Sequence, residues 1–143
     1  MPLDPERALQ GGLMAALRAA PTLTPLLGTP PRVYDEPPLD PIYPYATLGR
    51  IEARPYGGLA PNGNDASALE QQVTLSVLSQ FGGLEEAKAV VAALRGVLHD
   101  QPLPLTDHRL VNLRVVFVDV FRAAEWRLIL GVVRLRAVTE PLV

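Results

Sequence analysis

Residues 110–139 read LVNLRVVFVDVFRAAEWRLILGVVRLRAVT, two apolar runs on either side of a short polar break. Leu110 to Arg122 and Trp126 to Thr139 are dense in Val, Leu and Phe, a composition that favours extended chain. Ala123-Ala124-Glu125 is short enough to pair them as an antiparallel hairpin. A strand with one solvated face alternates apolar and polar residues, and these two do not. Leu113, Val115, Phe117 and Phe121 share one parity of the first run, while Val116, Val118 and Val120 share the other. In the second run Leu128, Leu130 and Val132 point away from Ile129, Val133 and Leu135. Both faces of this hairpin therefore need cover.

The chain ahead of it supplies cover for one face. Leu84 to His99 reads as a helix, with Ala87, Val91, Leu94 and Leu98 on one side and Val90 and Val97 beside them. Glu85 and Glu86 suit its first turn, where the helix dipole favours anions. Gly82-Gly83 opens the helix, and Pro102 and Pro104 prevent its continuation. A second helix begins at Asp4, an N-cap, and Pro5. Leu9, Leu13 and Leu17, with Ala16 and Ala20, draw its apolar stripe up to Pro21. Thr24-Pro25-Leu26-Leu27 adds a single turn closed by Gly28.

Between the helices lie three extended segments. Arg32-Val33-Tyr34 is a short strand followed by a connection in which Pro37, Pro38, Pro41 and Pro44 bar helix. In Tyr45 to Arg54, Ala46, Leu48, Arg50, Glu52 and Arg54 share one parity and Thr47, Ile51 and Ala53 the other. That predicts a strand whose far end becomes polar on one face. Leu69 to Gln80 sets Val73, Leu75 and Val77 against Thr74 and Ser76, a half-buried strand. The loop between them, Pro55 to Asp65 (PYGGLAPNGND), exceeds the two to five residues that a hairpin usually needs. The order α, β, β, β, α, β, β, with hairpins in place of βαβ units, predicts an α+β fold. It is one domain over residues 1–143, a mainly antiparallel sheet with two helices packed on one face. The other face of the 110–139 hairpin is then covered by its own chain, through sheet coiling or the proline-rich segment, or by a neighbouring subunit. A large exposed apolar patch is rare on a monomer.

Composition narrows the function. There are no cysteines among the 143 residues, which excludes disulfides, thiolate metal sites and cysteine nucleophiles. The formal charge of −2 leaves no electrostatic footprint for nucleic acid, and no aromatic platform alternates with Arg50 and Arg54 or with Arg134 and Arg136. The N-terminus MPLDPER lacks a signal peptide's positive charge and no membrane-length apolar run follows, so a soluble protein made in the cytoplasm is expected. Lys88 is the only lysine. Arginine suits interface ion pairs better than lysine, and a GC-rich genome produces the same bias.

Chemistry is equally sparse. Gly57-Gly58 and Gly82-Gly83 match no phosphate-binding loop. His99 and His108, beside Asp100 and Asp107, are the only histidines, and they flank a proline break; a solvated loop with capping aspartates is expected there in preference to a metal site. Ser67, Ser76 and Ser79 carry no nucleophile-elbow motif. Asp35 and Glu36 are adjacent in extended chain and so point opposite ways. Asp119, inside an apolar strand, is the one carboxylate whose burial would perturb it. No catalytic residue, cofactor or metal ligand is expected.

Three stretches together resemble a known family. The first is the N-terminal helix, Leu26-Leu27-Gly28, Arg32-Val33-Tyr34-Asp35-Glu36-Pro37-Pro38, and Pro44-Tyr45-Ala46-Thr47-Leu48-Gly49. The second is Val73-Thr74-Leu75-Ser76-Val77 and the Ala- and Val-rich helix to Leu98-His99. The third is Leu103-Pro104-Leu105, His108-Arg109-Leu110-Val111 and Arg134-Leu135-Arg136-Ala137-Val138-Thr139-Glu140. The succession resembles the tail-completion or tail-terminator proteins of siphophages and gene-transfer particles. The resemblance implies a structural subunit that assembles with itself into a ring, usually six-fold, at the head-proximal end of the tail. The ring would sit on the tail-tube protein, stop tube growth and present the surface to which the head-completion or connector protein joins. A head-completion or stopper ring of the same particle and a small non-catalytic binding module are the alternatives. Closing a ring takes two different patches per subunit. The expected patches are the outer face of the 110–139 hairpin, rimmed by Arg134 and Arg136, and the strand end Arg50, Glu52 and Arg54 with the adjoining loop residues Tyr56, Asn62 and Asn64.

Overall fold

The computed structural model describes residues 4–56, 68–124 and 127–142. Helix α1 (Pro5–Ala19) starts where the Asp4 carboxylate accepts a hydrogen bond from the Arg7 backbone N–H, 2.8 Å away. Its stripe of Leu9, Leu13 and Leu17 is completely buried. The chain turns at Ala20 into α2 (Thr24–Leu27), a single turn whose Thr24 hydroxyl donates to the Pro21 carbonyl. Then come β1 (Val33–Tyr34), β2 (Tyr45–Pro55), β3 (Leu69–Ser79), α3 (Glu85–Leu98), β4 (His108–Arg122) and β5 (Ile129–Pro141).

The strands form one five-stranded sheet in the order β1-β2-β3-β5-β4. β1 runs parallel to β2 and every other pair is antiparallel. The fold is α+β, as the residue patterns imply. β5 lies between β3 and β4, so the chain crosses over through α3 to the far edge and returns in a hairpin. The helices cover one face. Val73, Leu75 and Val77 of β3 and Val133, Leu135 and Ala137 of β5 point into it and are fully buried. α3 settles on β5 at Gly131, where an added Cβ would stand 2.9 Å from Val91 Cγ2. The absent side chain is what allows Val91 to reach the strand. Gln71, also fully buried, donates to the Pro5 carbonyl at 3.2 Å and to the Thr139 hydroxyl at 3.0 Å, tying the start of α1 to β3 and β5.

Element ends differ from the sequence reading by a few residues. β5 starts at Ile129 and β4 two residues ahead of Leu110, while Trp126, expected at the start of β5, lies outside the described residues. The larger difference is in which way side chains point. β2 carries an irregularity between Leu48 and Ile51, and β4 carries one between Leu110 and Asn112 and another between Val115 and Phe117. An extra residue in one strand reverses the alternation beyond it. Ala46 and Leu48 thus face the helices while Arg50, Glu52 and Arg54, of the same parity, face outward. In β4, Leu113 and Val115 face the helices, Phe117 and Phe121 face outward, and Val120 returns toward the core.

Candidate assembly surface

The face of the sheet away from the helices is built by these bulges. Two cross-strand rows follow from the register. Thr74, Arg134 and Phe117 stand side by side on β3, β5 and β4, and Glu52, Gln72, Arg136 and Arg114 form the next row. Arg50, Glu52, Thr74, Val116, Phe117 and Arg134 line one groove of ≈ 510 Å³ on this face. The two patches assigned separately from sequence are therefore one surface, because β2 and β5 flank the same strand. Asp119, the carboxylate whose burial within β4 would perturb it, is exposed.

Charge on this face is partly compensated. Arg50 pairs with Glu52 at 3.4 Å and Arg136 with Glu70 at 3.3 Å. Arg114 lies opposite Arg136, a like-charge pair that costs stability, and reaches Asp100 at 3.6 Å. Tyr56 places its ring 5.6 Å from the Arg136 guanidinium. Arg54 and Arg134 have no carboxylate partner among the described residues. Arg134 instead lies over the Phe117 ring, 4.8 Å from its centroid. Asn62 and Asn64 lie outside the described residues.

Apolar side chains remain open beside these cations. Val116 is 55% exposed, Phe117 44% and Phe121 39%. The proline-rich connection packs at the other lateral edge of the sheet, on β2. There Tyr43 packs at 5.2 Å on Tyr45, which also meets Tyr34 at 5.9 Å. Burial of Tyr45, followed by the neighbouring Tyr43 phenol, raises its pKa above the ordinary 10.0.

The edge strand β4 is capped over part of its length. The Val115 N–H donates to His99 Nδ1 at 2.9 Å, and the Leu113 carbonyl accepts from the Asp100 N–H at 2.8 Å. His108, mostly buried, donates from Nδ1 to the Thr106 carbonyl at 3.1 Å. Each histidine is thus committed to backbone. No group of three or more His, Asp or Glu stands in a metal-holding arrangement among the described residues. Among the same residues no helix is long and apolar enough to cross a membrane.

A family model described as tail completion protein gp17 matches residues 11–140. The chain belongs to that family. The tail-completion resemblance noted in the sequence is thereby established, and the protein is a structural protein of the phage-tail type. A chain of the solved structure titled "Virion of native gene transfer agent (GTA) particle" superposes with a TM-score of 0.82. It is 28% identical, over 94% of this chain and 96% of that one. No curated protein matches. Tail completion is a structural role, which accords with a surface made of arginine and apolar side chains.

Sequence reasoning missed one feature of this tail-completion subunit. Leu39 is fully exposed and Ile42 is 67% exposed at the tip of the proline-rich connection. The available signal was two aliphatic residues set among prolines and acids, with no alternation to bury them.

Proposed function

We propose that this chain is the subunit of a ring that caps the tail tube of a phage-like particle. The ring stops tube polymerisation and presents the surface to which the head joins. The observation that carries this reading is the open arginine and apolar face of a tail-completion fold. Val116, Phe117 and Phe121 remain exposed beside Arg134, and an exposed patch of this kind marks an interaction site. Arg50, Glu52, Arg54 and Tyr56 on one side and Arg134 and Arg136 on the other then belong to one contact surface, with the tube, the connector and further copies of the chain as its partners. Charged residues around an apolar centre set orientation and association rate more than affinity.

Particles produced without the chain test the reading. The expected result is tubes of uncontrolled length that do not join heads. Tails of normal length beside heads that lose their contents would contradict tube capping and assign the ring to the head side.

A further inference from the structure

A closed ring needs two different surfaces on each subunit, and the sheet face supplies only one. We propose that the second is the loop from Asp35 to Ile42, and that it docks on the sheet face of an adjacent copy, against Val116, Phe117 and Arg134. This rests on the ring reading above.

The loop has the complementary chemistry. Asp35, Glu36 and Asp40 are exposed, and among the described residues none of them pairs with a cation. Leu39 and Ile42 stand out beside them. On the receiving face Arg134 lacks a carboxylate partner among the described residues, and Val116 and Phe117 lie open beside it. The two surfaces therefore carry opposite charges, and each has exposed apolar area to bury against the other. Guanidinium–carboxylate bonds are among the stronger hydrogen bonds and fix geometry as well as energy.

The loop is also preformed. Arg32 Nε donates to the Ile42 and Pro44 carbonyls, both at 3.1 Å, and so closes the loop at its base. The Arg32 guanidinium rests against Gly28, where a Cβ would stand 2.5 Å from Nη1 and where φ is +88°. Pro37, Pro38 and Pro41 fix their own φ. Little conformational entropy is left to lose on docking.

Position completes the case. The loop leaves the sheet at β1, and the exposed apolar residues lie on β4, at the opposite edge. Those strands are four spacings apart, about 19 Å. One subunit thus offers its loop at one edge and its receiving face toward the other, as a head-to-tail contact requires.

The chain has no cysteine, so a Leu39→Cys/Val116→Cys variant built into particles reports this contact directly. The expected result on a non-reducing gel is a ladder of disulfide-linked copies, absent from either single variant. In parallel, Arg134→Glu should lower incorporation into particles by about tenfold or more, and adding Asp40→Arg should restore it. Circular dichroism of each subunit verifies the fold. Particles with a visible ring of this chain but neither ladder nor rescue would overturn the loop contact and leave the ring standing. A disulfide formed within one copy would also overturn the loop contact. Wild-type particles without a ring of this chain would overturn both.

Discussion

Arg134 lies over Phe117, with its guanidinium carbon 4.8 Å from the ring centroid, on directly opposed positions of β5 and β4. The contact exists because the bulge before Phe117 turns that ring to the outer face. It joins a cation without a carboxylate partner among the described residues to the apolar part of the same surface. A single patch can then attract an acidic partner and exclude water from the contact.

Stability should depend less on this pair than on the helix-facing core. Phe117 is 44% exposed, and a cation–π contact at an exposed site contributes about 0.5–1 kcal/mol. Phe117→Ala should cost roughly 1–2 kcal/mol, whereas Leu135→Ala, fully buried on the helix face, should cost about 2–5 kcal/mol. Urea unfolding of the two variants measures the difference. Equal losses would mean that Phe117 is part of the core.

Gly131 is required by helix packing. Val91 Cγ2 would lie 2.9 Å and Val77 Cβ 3.2 Å from a new Cβ, and β-branched side chains have little freedom to move aside. Gly131→Ala should destabilise by about 1–3 kcal/mol, and Val91→Ala in the same chain should return part of that. A neutral Gly131→Ala in thermal unfolding would show that α3 shifts without cost.

His99 guards an edge. Its Nδ1 takes the Val115 N–H, and an unpaired edge group is a template for pairing with another chain. His99→Ala should cost about 1 kcal/mol and raise non-specific self-association in light scattering. Unchanged scattering at equal concentration would show that the Asp100–Leu113 hydrogen bond protects the edge alone.

Tyr45 should make the fold sensitive to alkali. Its pKa is raised above 10.0 by burial first and by Tyr43 second, so the folded state holds this proton where the unfolded state has lost it. The corresponding stability is complete below the unfolded pKa and disappears as pH rises through the folded one. Denaturant midpoints should therefore fall less steeply above about pH 10 in Tyr45→Phe than in the wild type. Absorbance at the phenolate band should show a late-titrating component in the wild type that Tyr45→Phe removes. Parallel pH profiles would contradict the burial argument.

The elements were legible in the residues because their periods are unbroken. Leu9, Leu13 and Leu17 mark one helix face, and Val73, Leu75 and Val77 mark one strand face, with nothing to interrupt either. The surface was legible as residues but not as a surface. Arg50, Glu52 and Arg54 share parity with the buried Ala46 and Leu48, and only the irregularity after Leu48 separates them. Gly49, whose Cβ would stand 3.2 Å from the Thr74 carbonyl, was the local hint. The bulge before Phe117 has no such mark. The insertion of β5 between β3 and β4, which makes the two arginine groups neighbours, depends on long-range pairing that local periodicity does not encode.

The proposed function requires a ring of this chain at the head-proximal end of the tail. Electron microscopy of intact particles carrying a labelled copy of the chain tests it most directly. A single ring of label is expected between the last tube layer and the head, with the outer sheet face of each copy in contact with its neighbour. Label spread along the tube, confined to the head or absent from the particle would contradict it.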